Sequence, residues 1–240
     1  MNILLTNDDG YDSYGIRLLK KKLEKYGTVL IVAPDSPMSA QSASLTIGHP
    51  LHLKKHDENI YSCDGSPADC VSMGLTLFNI DFDIVVSGCN NGLNISYDTM
   101  YSGTIGAAQQ ALMFQVPSIA FSTPYDDFHL VEERFEEVFE FIKKHDLIDK
   151  NYLLNVNFPS GEFKGIALSN LYYRKDYQYM VKQDDGGYYA YRKMEDDFSK
   201  YPDSDCYHVS HGIVSITPLN KSYFDNSIYE KLKKKCPKVK

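Results

Sequence analysis

Short apolar runs alternate along the chain with segments whose apolar positions recur at helical spacing, the pattern of strands joined by helices. Ile3 to Thr6 reads as a strand, and Ile16, Leu18, Leu19 and Leu23 then recur at roughly helical spacing until Gly27 ends the element. Thr28 to Ala33 is a second strand, and Pro34-Asp35-Ser36-Pro37 opens a hydroxyl-rich polar loop that runs through Ser44. Leu51 to Leu53 and Ile60 to Cys63 read as a short strand pair. Pro67 starts a helix to about Phe78, with Ser66 as its N-cap and proline at the first helical position. Ile84-Val85-Val86 is an unalternating, buried strand; a long loop follows, then a helix from Thr104 to Phe114 and a strand from Ser118 to Phe121. Glu132 to Lys144 is amphipathic, with Phe135, Val138, Phe139 and Ile142 on one face, and Leu153 to Val156 supplies one more strand.

Strand and helix alternating in this way imply right-handed crossovers, hence an α/β fold with a doubly wound, mostly parallel, Rossmann-like sheet. Residues 1–160 form that core. Beyond Pro159 the pattern changes to short, antiparallel-looking strands around Gly186-Gly187, with tyrosines clustered at Tyr172, Tyr173, Tyr177, Tyr179, Tyr188, Tyr189 and Tyr191. Residues 161–240 are thus expected to be a β-rich and helical extension of the same domain. They serve either as a subunit contact or lid, for which tyrosine is well suited, or as an extension packed on its own core.

Composition changes this picture only by exclusion. A hydrophobic share of 43% and a charged share of 24% are those of a globular protein, and a net charge of −7 opposes non-specific binding to nucleic acid. The Lys231-Leu232-Lys233-Lys234-Lys235 run reads as a solvated tail, so no nucleic-acid duplex is expected as partner. No signal peptide precedes the first strand and no apolar run approaches the roughly 18 residues of a membrane span, which predicts a cytoplasmic protein. Cys63, Cys70, Cys89, Cys206 and Cys236 are odd in number and widely spaced, so neither a disulfide framework nor a thiolate zinc site is expected.

The chemistry is concentrated after two strands. Asn7-Asp8-Asp9-Gly10 follows the first strand directly; it is good turn sequence, and it also puts two carboxylates where α/β enzymes hold hard cations. After the Ile84 strand comes Ser87-Gly88-Cys89-Asn90-Asn91-Gly92-Leu93-Asn94, then Asp98 and Tyr101-Ser102-Gly103-Thr104 at a helix start. A helix N-terminus bearing hydroxyls favours a phosphate, although Ser102 and Thr104 can equally be caps. The phosphate-loop, dinucleotide, nucleophile-elbow and zincin motifs are absent, and the histidines form no ligand-spaced pair.

In order and spacing these segments resemble the SurE family, the survival-protein 5′-nucleotidases. Ala33-Pro34-Asp35 with Ser39, Ser42 and Ser44-Leu45-Thr46 also matches, as do Gly65-Ser66-Pro67-Ala68-Asp69-Cys70-Val71, Asn155-Val156-Asn157 and Val214-Ser215-Ile216-Thr217-Pro218-Leu219. The resemblance implies one divalent cation per subunit, Mg²⁺ or Mn²⁺, on Asp8, Asp9, Ser39 and Asn90. It also implies a substrate phosphate at Asn90, Asn94, Ser102, Gly103 and Thr104. All four metal ligands are oxygen donors, as either ion requires.

The implied reaction is hydrolysis of nucleoside 5′-monophosphates by a metal-activated water, with Asp8 or Asp9 as base and Asn94, Ser102 and Thr104 orienting the phosphoryl group. A covalent aspartyl-phosphate route ranks second. A homodimer or homotetramer with an exchanged C-terminal segment is implied as well. Alternatives are a broader 3′-nucleotidase or exopolyphosphatase and a non-catalytic nucleotide-binding regulator. Two positions depart from the family pattern, Ala40 and Ser96 standing where it has glycine, and both are expected to restrict the backbone.

Overall fold

The structure, a computed structural model, describes residues 1–172, 177–193, 197–220 and 226–234. In chain order it contains β1 (Asn2–Thr6), α1 (Tyr14–Leu23), β2 (Thr28–Pro34), β3 (Leu53–Asp57), β4 (Ile60–Cys63), α2 (Pro67–Leu77) and β5 (Ile84–Asn91). There follow α3 (Asp98–Tyr101), α4 (Gly103–Met113), β6 (Ser118–Thr123), α5 (His129–Lys144), β7 (Tyr152–Asn157) and β8 (Gly165–Leu168). The chain closes with β9 (Tyr177–Lys182), β10 (Tyr188–Lys193), α6 (Asp205–Ser210), β11 (Ile213–Asn220) and α7 (Asn226–Lys233).

A 9-stranded sheet runs in the order β3-β4-β2-β1-β5-β6-β7-β11-β8. From β4 through β7 neighbouring strands are parallel, as expected of the doubly wound α/β class. The chain leaves β1 toward β2 and later returns on the other side at β5, so the topological switch point lies between β1 and β5. Both faces of these strands are covered, which explains their unbroken apolar runs. Ile3, Leu5, Ile84 and Val86 pack with Ile16 and Leu19 of α1 and Phe135 and Phe139 of α5. Leu4, Leu30 and Val85 pack on the other face with Val71 of α2 and Ala107 and Ala111 of α4.

The helix starts follow their sequence signals. Ser66 accepts from the Asp69 N–H at 3.1 Å while the Asp69 carboxylate accepts from the Ser66 N–H at 3.0 Å, a reciprocal cap with Pro67 in the first turn. Asp69 also accepts from the Thr46 N–H at 3.0 Å and its hydroxyl at 2.8 Å, tying the hydroxyl-rich loop to α2.

Three expectations are corrected. The first strand of the edge pair covers Leu53–Asp57, not Leu51 to Leu53; Lys54, Lys55 and His56 give no apolar run because this is an exposed edge, where lysines discourage further strand pairing. The Ile84 strand continues through the polar residues to Asn91. Beyond Pro159 the strands are not all antiparallel: β9 pairs antiparallel with β10 and β11 antiparallel with β7, but β8 lies parallel to β11. A parallel pair needs a long crossover, and the residues from 169 to 212 supply it.

Tyr179, Tyr188, Tyr189 and Tyr191 are exposed on the β9–β10 hairpin, whereas Tyr172 stacks on Tyr201 with ring centroids 3.9 Å apart. Tyr173, Tyr223, Lys235 and Cys236 lie outside the described residues. Cys63, Cys70, Cys89 and Cys206 are buried free thiols. Among the described residues no helix is long and apolar enough to cross a membrane.

Candidate active site

Asn7-Asp8-Asp9-Gly10 is both a turn and a site. The Asn7 amide nitrogen donates to the Gly10 carbonyl at 2.9 Å and to Ser13 Oγ at 2.8 Å, and Asn7 Oδ1 accepts from the Gly10 N–H at 3.2 Å. Gly10 holds φ at +104°, a conformation that side chains rarely adopt. The turn leaves the two carboxylates just beyond the carboxyl end of β1.

Asp8 points toward α4. It is only 4% exposed, and Thr104 Oγ1 donates to its Oδ1 at 2.5 Å. A Cβ on Gly103 would come within 2.9 Å of the Asp8 Cβ, so glycine is what lets α4 approach this closely. Burial pushes the Asp8 pKa up to about 6, the Thr104 hydrogen bond opposing and the Asp9 charge adding to the rise. The Asp8 carbonyl accepts from the Met38 N–H at 2.7 Å, which draws Ser39 to the same place.

Asp9 lies beside the end of β5, and its Oδ2 accepts from the Asn91 N–H at 3.1 Å. Burial raises its pKa too, with the Asn91 N–H opposing. Two adjacent carboxylates whose ionisation burial disfavours are a place where a cation offsets an existing electrostatic cost.

Asp8, Asp9, Ser39, Asn90, Asn94 and Ser102 line one open cleft of about 240 Å³. All four expected metal ligands thus face a common space. The Asn90 amide nitrogen donates to the Gly92 carbonyl at 2.7 Å, which leaves its amide oxygen as the donor for a cation. Two carboxylates, an amide oxygen and a hydroxyl suit Mg²⁺ or Mn²⁺. Among the described residues no three His, Cys, Asp or Glu side chains gather into an alternative metal site.

Of the expected phosphate contacts, Ser102 lines the cleft and also caps α4, its Oγ accepting from the Ile105 N–H at 3.1 Å. Thr104 is fully buried behind Asp8, and Gly103 stands beside it. Asn94 is fixed by a buried amide network. Its N–H donates to Asn157 Oδ1 at 2.8 Å, its side chain to Ser122 Oγ at 2.8 Å, and its carbonyl accepts from Asn155 at 2.7 Å and Asn157 at 3.1 Å. The Asn155-Val156-Asn157 motif therefore reaches the site through Asn94.

Ala40 and Ser96 adopt the left-handed conformation, with φ of 60° and 56°. The backbone thus keeps the form that glycine would allow, at a cost of about 1 kcal/mol each. Ser96 is held there by Asp205, whose buried carboxylate accepts from the N–H groups of Ser96 at 2.7 Å, Cys206 at 2.8 Å and Tyr172 at 3.2 Å. Sequence reasoning missed Asp205; the cue was a Ser-Asp helix start at Ser204, which does cap α6. It also missed Tyr14 and Phe128, which with Asp9 and Asn91 line a second cleft of about 320 Å³ on the α1 and α5 side.

Comparison with known proteins gives a consistent result. The sequence profile of the family described as survival protein SurE matches residues 3–178. A 5′-nucleotidase SurE of Clostridium botulinum (strain Alaska E43 / Type E3) is 35% identical over 249 residues, covering 97% of each chain. One from Clostridium beijerinckii is 34% identical over 244 residues, covering 95% of this chain and 96% of its own. The crystal structure of the SurE protein from Aquifex aeolicus superposes with a TM-score of 0.83 at 34% identity, covering 98% of this chain and 99% of that one.

Proposed function

This chain belongs to the SurE family, and on that premise we propose that it is a divalent-metal-dependent 5′-nucleotidase, hydrolysing nucleoside 5′-monophosphates to nucleosides and phosphate. The observation that carries the reading is the convergence of Asp8, Asp9, Ser39 and Asn90 on one cleft beside the N-terminus of α4. These four residues would hold the cation, one per subunit. When bound, Mg²⁺ or Mn²⁺ lowers the pKa of water and offsets charge on phosphoryl oxygens.

The chain's own groups do the rest. Ser102 and the N-terminus of α4 receive the phosphate, where the helix dipole favours an anion. Asn94, immobilised by Asn155, Asn157 and Ser122, orients the transferred group. Thr104 keeps Asp8 aimed into the cleft. Asp9, the more exposed of the two carboxylates, accepts the proton of the attacking water.

The exposed tyrosines of the β9–β10 hairpin support a subunit contact, as in a homodimer or homotetramer, and the setting we infer is the cytoplasm. Phosphate release from a panel of 5′- and 3′-nucleotides and short polyphosphates, with and without Mg²⁺ or Mn²⁺, tests the reading. Metal-dependent turnover of 5′-monophosphates supports it. Preference for 3′-nucleotides or polyphosphate overturns the substrate assignment, and no turnover of any of them leaves a binding regulator.

A further inference from the structure

The crevice at the switch point has two halves, divided by Asp9 and Asn91, which line the clefts on both sides. The half toward α4 is the polar one already described. The other, of about 320 Å³, is walled by Tyr14 at the start of α1 and Phe128 just before α5. Their rings meet edge to face with centroids 5.1 Å apart, and Tyr14 is 49% exposed. The Tyr14 hydroxyl donates to Glu132, which fixes the ring. Gly15 lets α1 press against the end of β5: a Cβ there would fall 2.0 Å from the Cys89 carbonyl oxygen. At the rim, Asn91 and Asp126 hold each other, the Asn91 amide donating to Asp126 Oδ1 at 3.0 Å and accepting from the Asp126 N–H at 2.7 Å.

The walls decide what this half can take. Carboxylates line both halves, Asp8, Asp9 and Asp98 on the α4 side and Asp9 and Asp126 on this one; what separates them is the α4 N-terminus on one side, which favours an anion, and the aromatic wall on the other. A substrate whose phosphate sits at the α4 N-terminus and which crosses Asp9 and Asn91 brings its other, uncharged end against Tyr14. An uncharged, planar group with hydrogen-bond donors on its edge meets an aromatic face and carboxylate acceptors there.

We propose that the cleft walled by Tyr14 and Phe128 is the nucleobase subsite, with the exposed face of Tyr14 as the stacking platform and Asp126 as an acceptor at the base or ribose edge. This rests on the 5′-nucleotidase reading and deepens it: the site selects nucleotides over phosphorylated compounds that lack a base.

The test compares kcat/KM for adenosine 5′-monophosphate and for ribose 5-phosphate, in wild type, Tyr14→Ala and Tyr14→Phe. Saturation-transfer NMR of adenosine with the same proteins gives a readout independent of turnover. We expect Tyr14→Ala to lower the nucleotide-to-sugar-phosphate ratio about tenfold, mainly through KM, and to weaken the adenosine signal. Tyr14→Phe, which keeps the ring, should restore both. An equal loss on both substrates, or an adenosine signal unchanged in Tyr14→Ala, overturns the subsite and leaves the nucleotidase reading standing. Failure of the wild type to hydrolyse the nucleotide overturns that reading instead.

Discussion

The two halves of the crevice begin from adjacent residues and are built in opposite ways. On the α4 side Asp8 is buried, clamped by Thr104 and reached by a helix start that only glycine permits. On the α1 and α5 side Asp9 keeps a freer edge, and its neighbours are aromatic rings and a carboxylate at the surface. The difference follows from what each carboxylate meets beyond the end of β1 at Thr6: Thr104 and the start of α4 at Asp8, the end of β5 at Asp9. A half whose side chains are clamped suits electrostatic work on a phosphoryl group, where preorganised donors matter most. An aromatic half suits discrimination between substrates.

The sharpest way to break the comparison is at Asp8. Asp8→Asn keeps the shape but removes a charged ligand, and phosphate release should fall by about a thousandfold while thermal unfolding shows an intact fold. The same substitution on the other side, Asp9→Asn, is expected to abolish turnover as well, since the cation needs both carboxylates.

Next in size is a pH effect on the metal-free protein. The folded Asp8 pKa, about 6, lies above the ordinary 3.8, so the folded state binds its proton more tightly than the unfolded chain. Stability contributed by this group is present below about pH 4 and is lost as pH rises to about 6, a change of about 3 kcal/mol. Urea melts at pH 5 and pH 7.5 should therefore show a smaller pH-dependent loss in Asp8→Asn than in wild type. Added Mn²⁺ should restore wild-type stability at pH 7.5, and its affinity should weaken as pH falls below about 6.

Thr104→Val comes third. It deletes the hydroxyl that orients Asp8 and fills a similar volume, so metal affinity should drop by about 10- to 100-fold, as for other partners that orient ligands. Calorimetric titration with Mn²⁺ reads this directly, and an unchanged affinity would remove Thr104 from the account. The smallest expected change is the roughly tenfold shift in substrate ratio at Tyr14, which acts on the other half and should leave Mn²⁺ affinity as it was.

Much of the phosphate half was legible in the sequence. An apolar strand running into Asn-Asp-Asp-Gly, an amide-rich loop after a buried strand and a Ser-Gly-Thr helix start each carry local signals, and the fold brings them to one edge. The partner of each carboxylate was not legible, because both lie in the turn beyond the last residue of β1, where strand alternation no longer places side chains. The aromatic half was not legible, because Tyr14 and Phe128 are distant in sequence and each looks like an ordinary exposed ring. Asp205 was hidden for a similar reason: its partner at Ser96 is a backbone N–H, which leaves no mark on residue type. The edge strand β3 was misplaced because its exposed lysines erase the apolar pattern from which strands are read.

If Asp8, Asp9, Ser39 and Asn90 hold one divalent cation, electron paramagnetic resonance of Mn²⁺ titrated into the metal-free protein should show one bound ion per chain in the wild type, and loss of that ion in both Asp8→Asn and Asn90→Ala with the fold intact. Equal Mn²⁺ binding by the wild type and both variants would contradict it.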